Sequence, residues 1–282
     1  MITFVLSKET QKEQMYTKTY HITAGDMDVN YRMTPSAALL YFQDCYASYL
    51  ALHHIAAFDI LKEGKIWVIS DFDLHFTDSR ALWLDAVKVD LSYSEITSCR
   101  AYIKFVMSTE HEGRVFAEGE SCWTILDIES RRPCNVAEIL ERAHAADEGI
   151  RHRGKINPKV ADAELKMVAP HPVNTTDLDF NGHVCNRSYM AMAMSTIPLE
   201  LIKVANPEYV HIKFAKESFL GQTLDINVWA KPERSITSAD QDIEIFHDIR
   251  NENQDVICTV YSEWKIDKDD LSRDPADIIL RK

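Results

Sequence analysis

The sequence has few of the residues that mark loop-rich, fibrous or nucleic-acid-binding chains. Its 282 residues include only eight glycines and nine prolines, which excludes a collagen-like repeat and leaves little room for long disordered stretches. Basic residues are in deficit, because 31 lysines and arginines stand against 44 aspartates and glutamates, a formal net charge of -13. Since phosphate contacts need a basic face, this balance argues against a nucleic-acid partner.

Paired cysteines and long apolar runs are also missing. The six cysteines are scattered and form no C-x-x-C pair, which favours free thiols in a reducing compartment over a disulfide scaffold. No apolar run approaches the ~18 residues that a membrane span requires. The apolar start, residues 1–6, is too short for a signal-peptide core. We therefore expect a cytoplasmic protein without a membrane span.

The most informative pattern present is an internal repeat with an offset of 151 residues. Residues 26–32 read Asp-Met-Asp-Val-Asn-Tyr-Arg, and residues 177–183 read Asp-Leu-Asp-Phe-Asn-Gly-His. Both aspartates and the asparagine are shared, and an apolar residue stands between them in each copy. A repeat of this kind predicts two structurally similar halves.

A helix is predicted after each copy of the repeat. In the first half it covers residues 37–51, with Thr34 as N-cap and Pro35 at the first helical position. In the second half it covers residues 187–196, with Asn186 as N-cap. Both segments are apolar nearly all round, which indicates that the helices are buried.

Segments with alternating apolar and polar residues follow each predicted helix, and they predict strands with one buried face. They lie at 87–93, 101–107, 115–126, 224–230, 243–249 and 256–266. One apolar helix wrapped by a long antiparallel sheet, present twice, predicts an α+β protein of two tandem hotdog domains.

The predicted domain boundary lies between residues 149 and 150. Residues 1–149 form the first domain and end in a connecting helix over 136–149. Residues 150–282 form the second domain, which starts with a linker over 150–165 and ends in a charged tail after residue 266.

Several of these segments resemble one known family. Residues 177–184, Asp-Leu-Asp-Phe-Asn-Gly-His-Val, are similar to a segment of plant and bacterial thioesterases that act on acyl-acyl carrier protein (acyl-ACP). Residues 212–218, Ile-Lys-Phe-Ala-Lys-Glu-Ser, resemble the strand of that family that carries a glutamate. Residues 123–127 and 131–133 resemble a further strand and turn. The resemblance covers roughly residues 15–266 and implies the same tandem hotdog fold.

The resemblance implies four functional residues, Asp179, Asn181, His183 and Glu217. His183 suits the role of proton acceptor, and Asn181 can hold substrate or water without titrating. Of the carboxylates Asp179 and Glu217, one can orient the imidazole or attack the carbonyl while the other positions water. The residues leave both routes open. Plant members usually have cysteine where this chain has Ser218, so no mechanism that requires a cysteine there applies.

The first repeat lacks the residues needed for this chemistry. Arg32 stands where the second repeat has His183, and an arginine cannot act as a base. If Phe76 aligns with Phe214, Ser79 falls at the place of Glu217. We therefore expect the first domain to be catalytically silent and to shape the acyl pocket.

The resemblance implies hydrolysis of fatty acyl-ACP, with release of a free fatty acid. Alternatives are an acyl-CoA thioesterase, a hotdog dehydratase and an acyl-binding module without catalysis. An acidic carrier protein needs basic residues near the site, and the candidates are Arg187 and residues 151–155, although an ordinary solvated linker explains the latter equally well. We expect no cofactor and no metal, since the histidines lack ligand spacing. A monomer with internal pseudo-dimer symmetry and a homodimer both fit, and acyl length stays open.

Overall fold

The computed structural model describes residues 16–77, 79–150, 157–230 and 242–266. The strands of the described residues are β1 (Tyr16–His21), β2 (Lys65–Phe76), β3 (Ala86–Ile96), β4 (Ala101–Thr109), β5 (Val115–Asp127), β6 (Lys166–Pro172), β7 (Ala205–Phe214), β8 (Thr223–Ala230), β9 (Asp242–Arg250) and β10 (Val256–Ile266). The helices are α1 (Pro35–Leu52), α2 (Ala57–Leu61), α3 (Val136–Leu140), α4 (Asn186–Ser195) and α5 (Leu199–Val204). The six strands predicted from alternation are confirmed as β3, β4, β5, β8, β9 and β10, whereas alternation did not predict β1, β2, β6 and β7.

All ten strands belong to one antiparallel sheet, in the order β1-β3-β4-β5-β2-β7-β10-β9-β8-β6. The second half repeats the first in reverse order across the sheet. The halves meet where β2 pairs with β7, with Phe72 opposite Ile212. This seam joins the two repeats through backbone hydrogen bonds, so the site of one half lies close to elements of the other.

Each half places one helix against the inner face of its sheet. In α1, the Thr34 side chain accepts the Ala37 N–H at 3.2 Å and Pro35 occupies the first turn, as predicted. The buried Phe42 ring packs against both Phe72 and Phe105, at centroid distances of 5.4 and 4.7 Å. These contacts explain why α1 is apolar nearly all round.

The start of α4 differs from the prediction by one residue. Cys185 is the N-cap, and Asn186 is the first helical residue rather than the cap. The Cys185 side chain makes no capping bond. Instead the Cys185 N–H and the Ser188 hydroxyl both donate to the Asp177 carbonyl, at 2.8 and 3.0 Å. The repeat loop therefore fixes the start of this helix.

The predicted helix over 136–149 is wrong beyond residue 143. After α3 and one 3-10 turn (Glu141–Ala143), His144 takes a left-handed conformation with φ of 50°. The chain then runs along β3, where the N–H groups of Glu148 and Ile150 donate to carbonyls of Tyr93 and Ser94 at 3.0 Å each. Among the described residues, β1 pairs with β3 as far as Leu91. Beyond that point, residues 147–150 supply hydrogen-bond donors to the edge of β3. Pairing these backbone groups outweighs the helix propensity of the segment.

The predicted linker is described from residue 157 onward. There Val160 and Leu165 pack against the buried rings of Tyr209, Phe246 and Tyr261. This part of the linker therefore covers the outer face of the second half of the sheet. Residues 151–156 and the charged tail lie outside the described residues. None of the described helices has the length and apolar character needed to cross a bilayer.

Candidate active site

The second repeat folds its motif into a tight turn before α4. The Asp179 N–H donates to the His183 carbonyl at 2.9 Å, and the Gly182 N–H donates to the Asp179 carbonyl at 3.0 Å. Asp179 Oδ1 accepts the Asn181 N–H at 2.8 Å. Gly182 has a φ of 77°, a left-handed conformation that glycine adopts without cost. The turn brings Asp179, Asn181 and His183 together ahead of the helix.

The first repeat adopts the same turn. The Asp28 N–H donates to the Arg32 carbonyl at 2.8 Å, and Asp28 Oδ1 accepts the Asn30 N–H at 2.8 Å. Tyr31 has a φ of 59° at the place of the glycine. The aspartate and the asparagine N–H thus build the turn in both halves, whether or not chemistry takes place there.

Asp177 has the structural role that its persistence in both repeats suggests. Its Oδ2 accepts the Asn174 N–H at 2.8 Å and lies 3.0 Å from His171 Nε2. In the first repeat Asp26 Oδ2 likewise accepts the Thr23 N–H, at 2.9 Å. Both aspartates close the short 3-10 turn that precedes the motif.

Glu217 lies in the loop after β7 and not within a strand, as the resemblance had implied. β7 ends at Phe214 because β10 is bulged near Ile257, whose carbonyl accepts the N–H groups of both Ala215 and Lys216 at 2.8 and 3.1 Å. The regular ladder stops there, and the chain turns toward the repeat loop.

Two backbone contacts hold this loop against the motif. The Val184 N–H donates to the Ser218 carbonyl at 2.9 Å, and His183 forms a β-bridge with Phe219. The His183 and Phe219 rings are nearly perpendicular, with centroids 5.0 Å apart. As a result His183 Nδ1 lies 3.6 Å from Glu217 Oε1. The structure therefore brings together the loops that carry all four predicted residues.

Arg131 joins the site from the first half of the chain. It lies in the turn after β5 with a φ of 57°, and its Nη2 is 3.0 Å from Glu217 Oε2. Glu217 is therefore flanked by His183 and Arg131. The resemblance had marked residues 131–133 only as a family turn. No spacing in the sequence indicates a contact that crosses from one repeat to the other.

The second site is open to solvent, whereas its counterpart is closed. The side chains of His183 and Glu217 are each 30% exposed, and Phe180 beside them is 83% exposed. In the first repeat the Arg32 side chain is only 7% exposed. Solvent therefore reaches the second loop, which is the loop with the titratable residues His183 and Glu217.

A peptide carbonyl from the other half occupies the counterpart site. Asn30 Nδ2 donates to the Ile202 carbonyl at 2.6 Å, and Arg32 Nη2 donates to the same oxygen at 3.1 Å. Ile202 belongs to α5, in the second half. The first repeat thus uses its asparagine and arginine to bind a carbonyl oxygen of the protein itself.

Arg80, and not Ser79, lies at the place of Glu217. The β-bridge between Arg32 and Leu82 corresponds to the bridge between His183 and Phe219. Counting two residues back from each bridge gives Arg80 and Glu217. The predicted equivalence with Ser79 is wrong because the β2–β3 loop is one residue longer than the β7–β8 loop. The first repeat has arginines at both positions that could carry base chemistry.

The predicted basic residues differ in how far the structure describes them. Arg187 is exposed near the start of α4, next to the half-buried N-cap region of Cys185. Burial raises the pKa of Asp26, but hydrogen bonds from Thr23 and Tyr41 and the charge of Arg187 lower it below its usual value. Residues 151–155, the other predicted basic stretch, lie outside the described residues. Among the residues that are described, no group of three His, Cys, Asp or Glu side chains is placed to hold a metal.

Comparisons with known proteins bear on the resemblance. Models for the N-terminal and C-terminal domains of acyl-ACP thioesterases match residues 13–142 and 160–266. Two chloroplastic acyl-acyl-carrier-protein hydrolases of Cuphea viscosissima are each 20% identical, over 173 and 216 residues. These matches cover 58% and 73% of this chain but 40% and 50% of the relatives. The chain spans about half the length of the curated relatives it matches.

Solved structures agree with the fold. An acyl-ACP thioesterase from Bacteroides thetaiotaomicron has a TM-score of 0.75 at 16% identity, over 88% of this chain and 97% of its own. The 12:0-ACP thioesterase from Umbellularia californica has a TM-score of 0.77 at 15% identity, over 89% of this chain and 94% of its own. At such identities the similarity shows the fold, which is the predicted tandem hotdog. Because the two domain models match most of its length, the chain belongs to the acyl-ACP thioesterase family.

Proposed function

We propose that the protein hydrolyses the thioester of fatty acyl-ACP and so releases a free fatty acid and ends chain elongation. Family membership supports the reaction class, and the site supplies suitable groups. His183 faces Glu217 through Nδ1, which leaves Nε2 for proton transfer. The Asn181 side chain is exposed in the same turn.

The observation that carries the proposal is the carbonyl bound in the silent repeat. Asn30 Nδ2 donates to the Ile202 carbonyl from a turn that matches the turn of Asn181. This geometry supports Asn181 Nδ2 as a donor to the acyl carbonyl oxygen in the open site. Such a donor becomes more valuable as negative charge develops on that oxygen.

In the proposed reaction, a water oxygen attacks the thioester carbon while His183 takes its proton. The carbon–sulfur bond then breaks, and His183 returns the proton to the departing sulfur, so the products are a fatty acid and a thiol. Glu217 orients the imidazole and stabilises its charged form. In the second route Asp179 attacks directly and water resolves the acyl intermediate. A product without ¹⁸O after one turnover in ¹⁸O-labelled water would establish attack by an enzyme carboxylate, with water then opening the anhydride at the carboxyl carbon of the side chain.

The difference between the two turns supports different roles for the two halves of the chain. Residues 150–282 contain the catalytic half, and residues 1–149 form a silent half that shapes the acyl pocket. The partner is an acyl carrier protein, for which exposed Arg187 offers positive charge at the start of α4. All six cysteines are unpaired, which supports a reducing, cytoplasmic location.

The experiment is free-thiol release from acyl-ACP of varied acyl length, comparing the wild-type protein with His183→Ala and Asn181→Ala. Loss of the proton acceptor is expected to lower kcat about 10²–10⁴-fold. Loss of the carbonyl donor is expected to lower it about 100-fold or more. Asn30→Ala is the matched control, because it removes the same side chain from the silent turn and is expected to leave kcat within about threefold.

Each outcome separates the candidate functions. Release from acyl-CoA but not from acyl-ACP would assign the other carrier. Release from neither, with a folded protein, would indicate an acyl-binding module. An equal loss of rate in Asn30→Ala and Asn181→Ala would refute the assignment of chemistry to the second half.

A further inference from the structure

Two buried hydroxyl groups lie directly behind the catalytic loops. Tyr189 projects from the first turn of α4, and Ser218 follows Glu217 in the loop after β7. Both side chains are buried, and within the described chain neither hydroxyl completes a hydrogen bond. The Tyr189 hydroxyl faces Ser218: burial raises the pKa of Tyr189 above its usual value, and the nearby hydroxyl and N–H of Ser218 lower it in part. A buried hydroxyl without a partner is costly, so its retention calls for a reason.

The first repeat shows that the fold does not require these hydroxyls. Ala38 stands in α1 where α4 has Tyr189, since each donates its N–H to the N-cap carbonyl, at 3.0 and 3.4 Å. Ala81 stands at the place of Ser218, since its carbonyl accepts the Met33 N–H as that of Ser218 accepts the Val184 N–H. Both alanines are fully buried. The hydroxyl pair therefore occurs only in the half with His183 and Glu217.

The pair is placed to act on the distance between His183 and Glu217. Ser218 directly follows Glu217, and its carbonyl is bonded to the residue after His183. The separation of 3.6 Å between His183 Nδ1 and Glu217 Oε1 exceeds a hydrogen bond. Catalytic hydrogen bonds are often long in a free enzyme and tighten when substrate binds. Because Ser218 is covalently next to Glu217, a bond between the Tyr189 and Ser218 hydroxyls would restrain the position of the Glu217 carboxylate relative to His183.

We propose that Tyr189 and Ser218 are positioning residues, whose hydroxyls bond to each other in the substrate complex and hold Glu217 at hydrogen-bond distance from His183. The proposal rests on the hydrolytic function proposed above. It assigns no contact with substrate to either residue. It explains why the buried pair accompanies the base and the carboxylate and is replaced by alanines in the silent half.

The test compares Tyr189→Phe, Ser218→Ala and the double variant in steady-state hydrolysis of acyl-ACP over a range of pH. Each single change is expected to lower kcat about tenfold and to leave KM within about twofold. The double variant is expected to match the singles, because either change removes the same bond. The low-pH limb of the kcat profile is expected to move to lower pH, since the charged imidazole loses the support of Glu217.

Tyr261→Phe is the matched control. Its hydroxyl donates to Glu263 at 2.8 Å on the outer face of the same half, so its loss is expected to leave kcat and the pH profile unchanged. Urea unfolding of each variant reports on the fold independently. An active wild type with unchanged kcat and profile in stable Tyr189→Phe and Ser218→Ala variants would overturn the positioning role alone. A folded wild type that is inactive on every thioester would overturn the proposed function and this inference with it.

Discussion

His247 makes the stability of the second half depend on pH. It lies on β9 between the inward-facing Ile245 and Ile249, and its side chain is fully buried. Its Nε2 lies 2.9 Å from the Thr196 hydroxyl, which itself donates to the Ala193 carbonyl at 2.9 Å. This network assigns the ring hydrogen to Nε2. Nδ1 completes no hydrogen bond among the described residues, so a second proton would bring into the core a charge that only the backbone of Val260 partly supports.

The size of the effect follows from the pKa of His247. Burial lowers this pKa from 6.5 to about 4, and the backbone of Val260 opposes the shift only in part. The unfolded chain therefore binds a proton near pH 6.5, whereas the folded protein does so only near pH 4. Stability is fully present above the unfolded value and falls as pH drops between the two. Linkage gives a loss of about 2 kcal/mol from pH 7 to pH 5.

The measurement is urea unfolding followed by tryptophan fluorescence at pH 7, 6 and 5 and constant ionic strength. His247→Leu is the comparison variant, because leucine has a similar volume and its neighbours are isoleucines. Other groups titrate equally in both proteins, so the difference between them isolates His247. The wild type is expected to lose about 2 kcal/mol more than the variant between pH 7 and 5. Equal losses in the two proteins would refute the role assigned to the buried imidazole.

Two further substitutions test the contacts between elements. Arg131→Ala removes a half-exposed ion pair with Glu217. Pairs of this kind contribute up to about 1 kcal/mol, so kcat for acyl-ACP is expected to fall less than about fivefold. A hundredfold fall would mean that Arg131 binds substrate. Gly119→Ala would place a Cβ 2.0 Å from a backbone oxygen of β2, and urea unfolding is expected to show a loss of about 3 kcal/mol or more. The control is Gly113→Ala, at an open turn with φ of 63°, which is expected to lower the free energy of unfolding by about 1 kcal/mol. Equal losses in the two variants would contradict a steric clash at Gly119.

The fold could be predicted because burial imposes its own periods on the sequence. Residues 87, 89, 91 and 93 of β3 are buried on one face, and this alternation of period two was readable directly. The apolar surface of α1 follows from a helix enclosed by its sheet. The internal repeat predicted that the fold has two halves, since each copy of the Asp-x-Asp-x-Asn motif precedes one helix.

The parts that sequence could not predict depend on contacts between distant segments. α3 stops early because the chain after it donates to the Tyr93 and Ser94 carbonyls of β3, an edge that only the folded sheet presents. The place of Arg80 depends on a single extra residue in one loop, which no alternation reveals. Arg131 reaches Glu217 across the seam between β2 and β7. Such contacts are set by the path of the chain, whereas local patterns fix only the elements.

The same contacts show how two similar turns can serve different purposes in one fold. Where the second repeat has His183 and Glu217, the first has Arg32 and Arg80, and each guanidinium donates to a backbone carbonyl of the other half. Arg32 reaches Ile202 in α5, and Arg80 reaches Pro207 in β7, both at 3.1 Å. Two permanently charged side chains that cannot accept protons are thus used to bind the halves to each other. The buried turn of the first repeat thus attaches one half to the other, whereas the open turn of the second repeat has side chains that can accept and release a proton.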